Sequence, residues 1–177
     1  MRSSESSSYS PSTLRAEVRP AKDSDLAHIL EVEAQAGRPF LDAAMLAEAI
    51  DDDARLVVVA FVRGASDVGE LVGWGKTHSW DYADGAAPKG HYLGGVTVRP
   101  DRRRKGIGTA LTQARLDWIW RRASEAWYVV NASNLASIGL HRRWGFAEVA
   151  RAPGFHTTTF DGGAGILMRT DRPGAPA

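Results

Sequence analysis

Residues 91–108 read HYLGGVTVRPDRRRKGIG, and the fold follows from how this stretch is built. Val96 and Val98 flank Thr97 in the period-two pattern of a strand. Pro100 and Asp101 break that strand. A basic run, Arg102, Arg103, Arg104 and Lys105, then leads into Gly106-Ile107-Gly108 and the start of a helical pattern. A strand, a glycine-bearing basic turn and a helix N-terminus form an anion cradle, because the first helical N–H groups lack intrahelical partners and carry the positive end of the dipole. Glycine at 106 and 108 lets a ligand approach the backbone closely. The expected guest is a phosphate or pyrophosphate.

Position 111 is Leu, which breaks the dinucleotide pattern G-x-G-x-x-G, and no Gly-Lys-Ser/Thr closes a P-loop. What stands is Arg103-x-x-Gly106-x-Gly108 behind a V-x-V-x-P strand. Further on, residues 134–146 read NLASIGLHRRWGF. Together these blocks resemble the GNAT acetyltransferase superfamily, whose patterns are R/Q-x-x-G-x-G/A and N-x-x-A/S-x-x-L-Y-x-x-x-G-F. Asn134, Ser137, Leu140, Gly145 and Phe146 match as they stand. His141 replaces the tyrosine, a form that is similar to the phosphinothricin acetyltransferase branch.

The resemblance implies acetyl-CoA as cofactor, with the pyrophosphate held by Arg103, Arg104, Lys105, Gly106, Ile107, Gly108 and Thr109, and with Asn134 and Ser137 beside it. Main-chain groups of Val96, Thr97 and Val98 would pair with the pantetheine arm as a missing strand does. It also implies a wedge between splayed fourth and fifth strands, and Gly94-Gly95 independently suggests a bulge there.

The 177 residues suit one domain; 44% are hydrophobic and 24% charged, within the ordinary range for a globular chain. The net charge of +1 gives no general argument for nucleic acid, and the single basic cluster lacks interleaved aromatics. Cysteine is absent, which excludes disulfides, thiolate ligands and an acyl-cysteine intermediate. The longest apolar run, LVVVAFV at 56–62, is too short for a bilayer span. With no apolar signal core at 1–13, the expectation is a cytoplasmic protein without membrane partners. The Ser-rich residues 1–12 read as a disordered tail, 13–170 as the domain and 171–177 as a flexible tail.

In chain order, the patterns predict a strand at 14–19, a helix capped by Asp23 or Ser24 and running to about 36, and a helix from about Asp42 to Asp51. A buried strand at 55–62 and a hairpin partner at 70–79 follow. Next come the central strand, a helix over 107–122, a strand at 125–132, a helix over 134–144 and two final strands. The fold class is α/β (α+β), a mixed, mostly antiparallel sheet with helices on both faces. Ile107, Leu111, Ala114 and Trp118 form the packing stripe of the 107–122 helix; Leu116 and Trp120 lie off it, which raises a possible homodimer contact.

Chemistry by direct attack in a ternary complex needs a base, a carbonyl-polarising donor and an acid. The resemblance makes the Val98 N–H the donor and His141 the general acid. An unperturbed imidazole, at about 6.5, would be roughly a quarter charged at pH 7 and would protonate a thiolate downhill. The alternative is a His141 that only packs. No Asp or Glu lies between His91 and Arg99, and Leu93 falls where the branch carries a glutamate. His91, directly or through a water, is then a candidate base, with Asp81 and Asp84 as alternatives and a water chain or an already neutral amine as a further one. The loop 80–90 supplies acceptor candidates Trp80, Asp81, Tyr82 and Asp84. His28, His78 and His156 lack metal-ligand spacing and read as structural or surface residues, and no metal is expected. The expected acceptor is a small-molecule amine, the alternatives being a protein amine or a non-catalytic acyl-CoA-binding module.

Overall fold

A computed structural model describes residues 16–38, 41–63 and 69–174. The 1–12 tail, the start of the 14–19 strand and most of the hairpin connector lie outside these residues. The apolar run around Val57 becomes the second strand of a seven-stranded sheet. In chain order the strands are β1 (Glu17–Pro20), β2 (Val57–Arg63), β3 (Gly69–Trp80), β4 (Gly90–Val98), β5 (Glu125–Asn131), β6 (Ala147–Ala152) and, after a small hairpin, β9 (Gly165–Asp171). The hairpin, β7 (Gly154–Phe155) with β8 (Thr158–Thr159), has no counterpart in the sequence reading. The sheet order is β1-β2-β3-β4-β5-β9-β6. Every pairing is antiparallel except β4 with β5, so the sheet is mixed and mostly antiparallel, as expected.

Among the described residues four α-helices pack on it: α1 (Leu26–Gln35), α2 (Ala43–Asp51), α3 (Ile107–Trp120) and α4 (Leu135–His141). Asp42 caps α2 by accepting the N–H of Ala44 at 2.8 Å and of Met45 at 3.1 Å. The start of α1 is held differently from the expected Asp23 or Ser24 cap. A 3₁₀ turn at Asp23–Asp25 precedes it, and Asp25 accepts the Lys22 N–H at 2.8 Å while gripping Arg19 with both oxygens.

β2 explains its own composition. Val57 and Val59 face α1 and α2, with Ile29, Val32, Leu46 and Trp74; Val58, Ala60 and Val62 face α3, with Val72, Ile107 and Leu111. Both faces are covered, so alternation disappears. On the α1 side, the buried Glu33 accepts the Trp74 indole N–H at 2.8 Å. Trp74→Phe, which strands this carboxylate and leaves a smaller ring in the core, is expected to cost at least about 2 kcal/mol in chemical denaturation.

α3 buries a wider arc than one stripe. Leu116 is fully covered and Trp120 partly, both packed with Tyr128, Phe146 and Met168 of the same chain. These residues therefore meet the chain's own core, which withdraws the feature that raised a homodimer contact. The opposite face of the C-terminal half carries no helix among the described residues. Loop 81–89 and the β7–β8 hairpin cover it instead, around Ala87, Tyr92, Trp127, Phe155 and Leu167. β9 runs through Asp171, and the Arg172 N–H still bonds Ser124 O at 2.7 Å.

Candidate active site

The β4–β5 ladder is two pairs long, Tyr92 with Trp127 and Leu93 with Tyr128. Beyond Leu93 the strands part. On the other side of β4 the register with β3 jumps, Gly75 pairing with Val96 and Thr77 with Leu93, so Gly94 and Gly95 oppose Lys76 alone. Glycine is required at 94, since a Cβ would stand 2.9 Å from the His78 ring. This bulge and fork open a cavity of about 1090 Å³ that runs from the start of α3 to the β7–β8 hairpin.

At one end lies the anion cradle. Gly106 caps α3 at φ +79°, and Arg104 also adopts a positive φ. The first intrahelical bond joins Ala110 N–H to Gly106 O at 3.0 Å. The amides of Ile107, Gly108 and Thr109 are thus left without helical acceptors. The basic run divides in two. Arg99 and Arg102 pair with Glu70 and Asp101. Arg103 and Arg104 have no carboxylate partner among the described residues and line the cavity. Lys105 turns back to bond Asp101 O at 3.2 Å and does not line it. Arg143, which the sequence reading missed, reaches Thr109 Oγ1 at 3.3 Å across the same entrance. Asn134 caps α4 by accepting the Ser137 N–H at 3.1 Å, and both residues line the wall, as do Val96, Thr97 and Val98.

His141 also lines the cavity, 3% exposed, with its ring stacked on Tyr128 at 4.2 Å and edged by Phe146. Its Nδ1–H donates to Ser137 O at 2.8 Å, which fixes the tautomer, and Nε2 is buried without a partner. Burial pushes the ring down to about 4. It is therefore neutral at pH 7, whereas the acid role in the sequence reading assumed an unperturbed imidazole. His91 lies outside the cavity with its ring against Trp118 of α3.

At the far end the rings of Trp80 and His156 stack at 4.7 Å, with Tyr82 and Tyr92 set edge-on to His156. Trp80 lines the cavity; Asp81, Tyr82 and Asp84 do not. Asp84 instead accepts the His156 N–H at 2.7 Å, tying the loop to the hairpin. His156 itself sits at φ +49°, a sparsely populated region for a non-glycine residue. It is a cavity residue together with His78, Tyr92 and Phe160. Burial pushes His78 down to about 4, with Lys76 and Arg55 adding to the effect. On the α1 side, Arg38 Nη1 lies 3.3 Å from Thr97 Oγ1 at the cavity wall. No Asp or Glu lines the cavity among the described residues, and no group of three or more His, Asp or Glu there is arranged to hold a metal.

The sequence model described as the acetyltransferase (GNAT) family matches residues 24–146. The chain belongs to that family. Two curated relatives are similar to part of the chain. The L-methionine sulfoximine/L-methionine sulfone acetyltransferase of Pseudomonas aeruginosa is 36% identical over 94 residues, 50% of this chain and 52% of the relative. The [ribosomal protein bS18]-alanine N-acetyltransferase of Escherichia coli is 34% identical over 74 residues, 41% of this chain and 50% of the relative. The chain thus spans about half the length of the curated relatives it matches. Among solved GNAT structures, Arabidopsis thaliana NAA60 in complex with acetyl-CoA has a TM-score of 0.71 at 17% identity, over 90% of this chain and 100% of that one. That likeness concerns the fold. No helix among the described residues is long and apolar enough to cross a membrane.

Proposed function

We propose that this GNAT chain transfers an acetyl group from acetyl-CoA to the primary amine of a small molecule by direct attack in a ternary complex. The observation that carries the reading is the continuity of one cavity from the α3 N-terminus, through the β4–β5 fork, to the aromatic end. The pyrophosphate would rest on the amides of Ile107–Thr109 with Arg103, Arg104 and Arg143 around it. The pantetheine arm would lie along Val96–Val98, and the thioester in the fork. The neutral amine nitrogen attacks the thioester carbonyl, the C–N bond forms as the C–S bond breaks, and the proton that the nitrogen gives up balances the one taken up by the departing CoA thiolate. Within this reading, the Val98 N–H remains the proposed carbonyl donor.

For the acceptor, two features favour a small molecule. The Trp80–His156 stack, fastened by Asp84, encloses the aromatic end. With Arg103, Arg104 and Arg143 assigned to the pyrophosphate and Arg102 paired with Glu70 and Asp101, Arg38 is the cavity arginine left for the acceptor; no carboxylate lines the cavity among the described residues, which favours an amine that also bears an acid group over a polyamine. The Pseudomonas relative, named for amino-acid derivatives, points the same way.

The experiment is a thiol-release assay with acetyl-CoA over a panel of amino acids, polyamines and peptides. Amines bearing a carboxylate are expected to lead. Arg38→Met should then raise KM for such an acceptor about tenfold and leave acetyl-CoA affinity unchanged, the size expected for one lost charge-assisted bond. Turnover confined to peptides would transfer the reading to a protein acceptor. Tight acetyl-CoA binding without turnover of any amine would replace it with a binding module.

A further inference from the structure

Arg115 on α3 is fully buried, yet no carboxylate pairs with it among the described residues. Its guanidinium makes four bonds. Nε donates to Leu111 O at 3.1 Å and Nη2 to Thr112 Oγ1 at 3.0 Å, both on its own helix. Nη1 donates to Lys76 O and to Gly94 O, each at 3.1 Å. Those two carbonyls flank the bulge from opposite strands. A ladder in which Gly94 and Gly95 oppose one residue cannot satisfy every backbone group, and a buried carbonyl without a donor is costly.

A buried guanidinium is itself expensive unless each of its contacts is a good one. An apolar side chain would fill the position without that expense, so the arginine calls for a local reason. Two further details supply one. Gly75 leaves room for it, since a Cβ there would stand 3.2 Å from the Arg115 Cζ and Nε. Gly94, whose carbonyl it holds, is the first β4 residue after the last pair with β5.

We propose that Arg115 is a positioning residue for acyl transfer: its guanidinium locks the Gly94 peptide in the bulge and so fixes the opening between β4 and β5 in which the thioester must lie. The inference rests on the acetyl-transfer reading for its kinetic consequence, while its structural consequence can be measured without any substrate.

Arg115→Met keeps the volume and removes the donors. In the folded variant, amide hydrogen exchange across 94–98 is expected to speed at least tenfold, with β2 amides unchanged. Turnover should fall at least twentyfold with acetyl-CoA affinity within threefold, because the phosphate end is held by the α3 turn. Arg115→Ala should regain part of its turnover with millimolar guanidinium but not with sodium chloride at equal ionic strength. Should neither variant fold, Gly75→Ala presses on the same guanidinium and is expected to give the same local exchange pattern. Unchanged exchange at 94–98, or acceleration of all amides together, would overturn the proposal. Failure of the unmutated protein to acetylate any amine would count against the transferase reading, and the exchange pattern would still decide whether Arg115 holds the bulge.

Discussion

Gly108→Asp should abolish useful acetyl-CoA affinity, weakening it at least a hundredfold by calorimetry, while the protein melts at the same temperature or slightly higher. Residue 108 is the second residue of α3, and a Cβ there meets only Leu140 Cδ2 at an ordinary 3.6 Å. An aspartate therefore fits. In the first turn it also complements the helix dipole, worth about 0.3–1 kcal/mol of stability. Against a diphosphate the same charge repels. Two like charges about 5 Å apart at an effective dielectric near 20 interact by about 3 kcal/mol, a little over a hundredfold. The opposite signs make the variant decisive, since a protein that merely misfolds would lose both properties. Unchanged affinity would remove the cradle from the proposed cofactor site.

The second large effect is on stability against pH. Burial is the leading cause of the low values of His78 and His141, each pushed down to about 4. His78 is flanked by Lys76 and Arg55; His141 is packed among Tyr128, Trp144 and Phe146, with the Arg115 charge nearby. In the unfolded chain each ring takes up a proton below about 6.5. Between the two values the unfolded state binds more protons, so stability is lost as pH falls from about 6.5 to about 4. Between pH 7 and pH 5 the loss is about 2 kcal/mol per ring. The carboxylates held low by arginine partners, Asp25 and Glu70 among them, lose their contribution only at more acid pH. Urea titrations at pH 7 and 5 should therefore differ by several kcal/mol, and His141→Phe should remove about half of the difference. A slope that His141→Phe leaves intact would show that the ring is not held neutral.

Reading the chain without its fold reached the glycine-bearing turn and the free amides at the start of α3, because these are local, but it counted Lys105, which turns away, and missed Arg143. A β-branched strand, a basic turn, two glycines and a helix start lie within 18 consecutive residues, and the backbone amides that do the binding need no distant partner. The bulge at Gly94-Gly95 was legible for the same reason: glycine pairs in a strand are informative wherever they occur. The loop candidates fared unevenly. Trp80 reaches the cavity, whereas Asp84 spends its carboxylate on the His156 backbone.

What tertiary structure alone decided is which side chains face one another. Strand side chains alternate between faces, and nothing in HYLGG says that His91 turns toward Trp118 while Tyr92 reaches His156. His156 carried no signal at all in its own segment; it lines the cavity because Asp84 and Tyr92, over 60 residues earlier, close around it. Arg115 drew no attention within its helix, and its buried bonds to Lys76 O and Gly94 O join segments that only the fold brings together. The sequence by itself determined the family and the glycine-bearing turn that starts α3, since those rest on contiguous stretches of chain. The aromatic end of the cavity and the neutral state of His78 and His141 were decided by packing between distant segments, because desolvation depends on what surrounds a group in space and not on its neighbours in the chain.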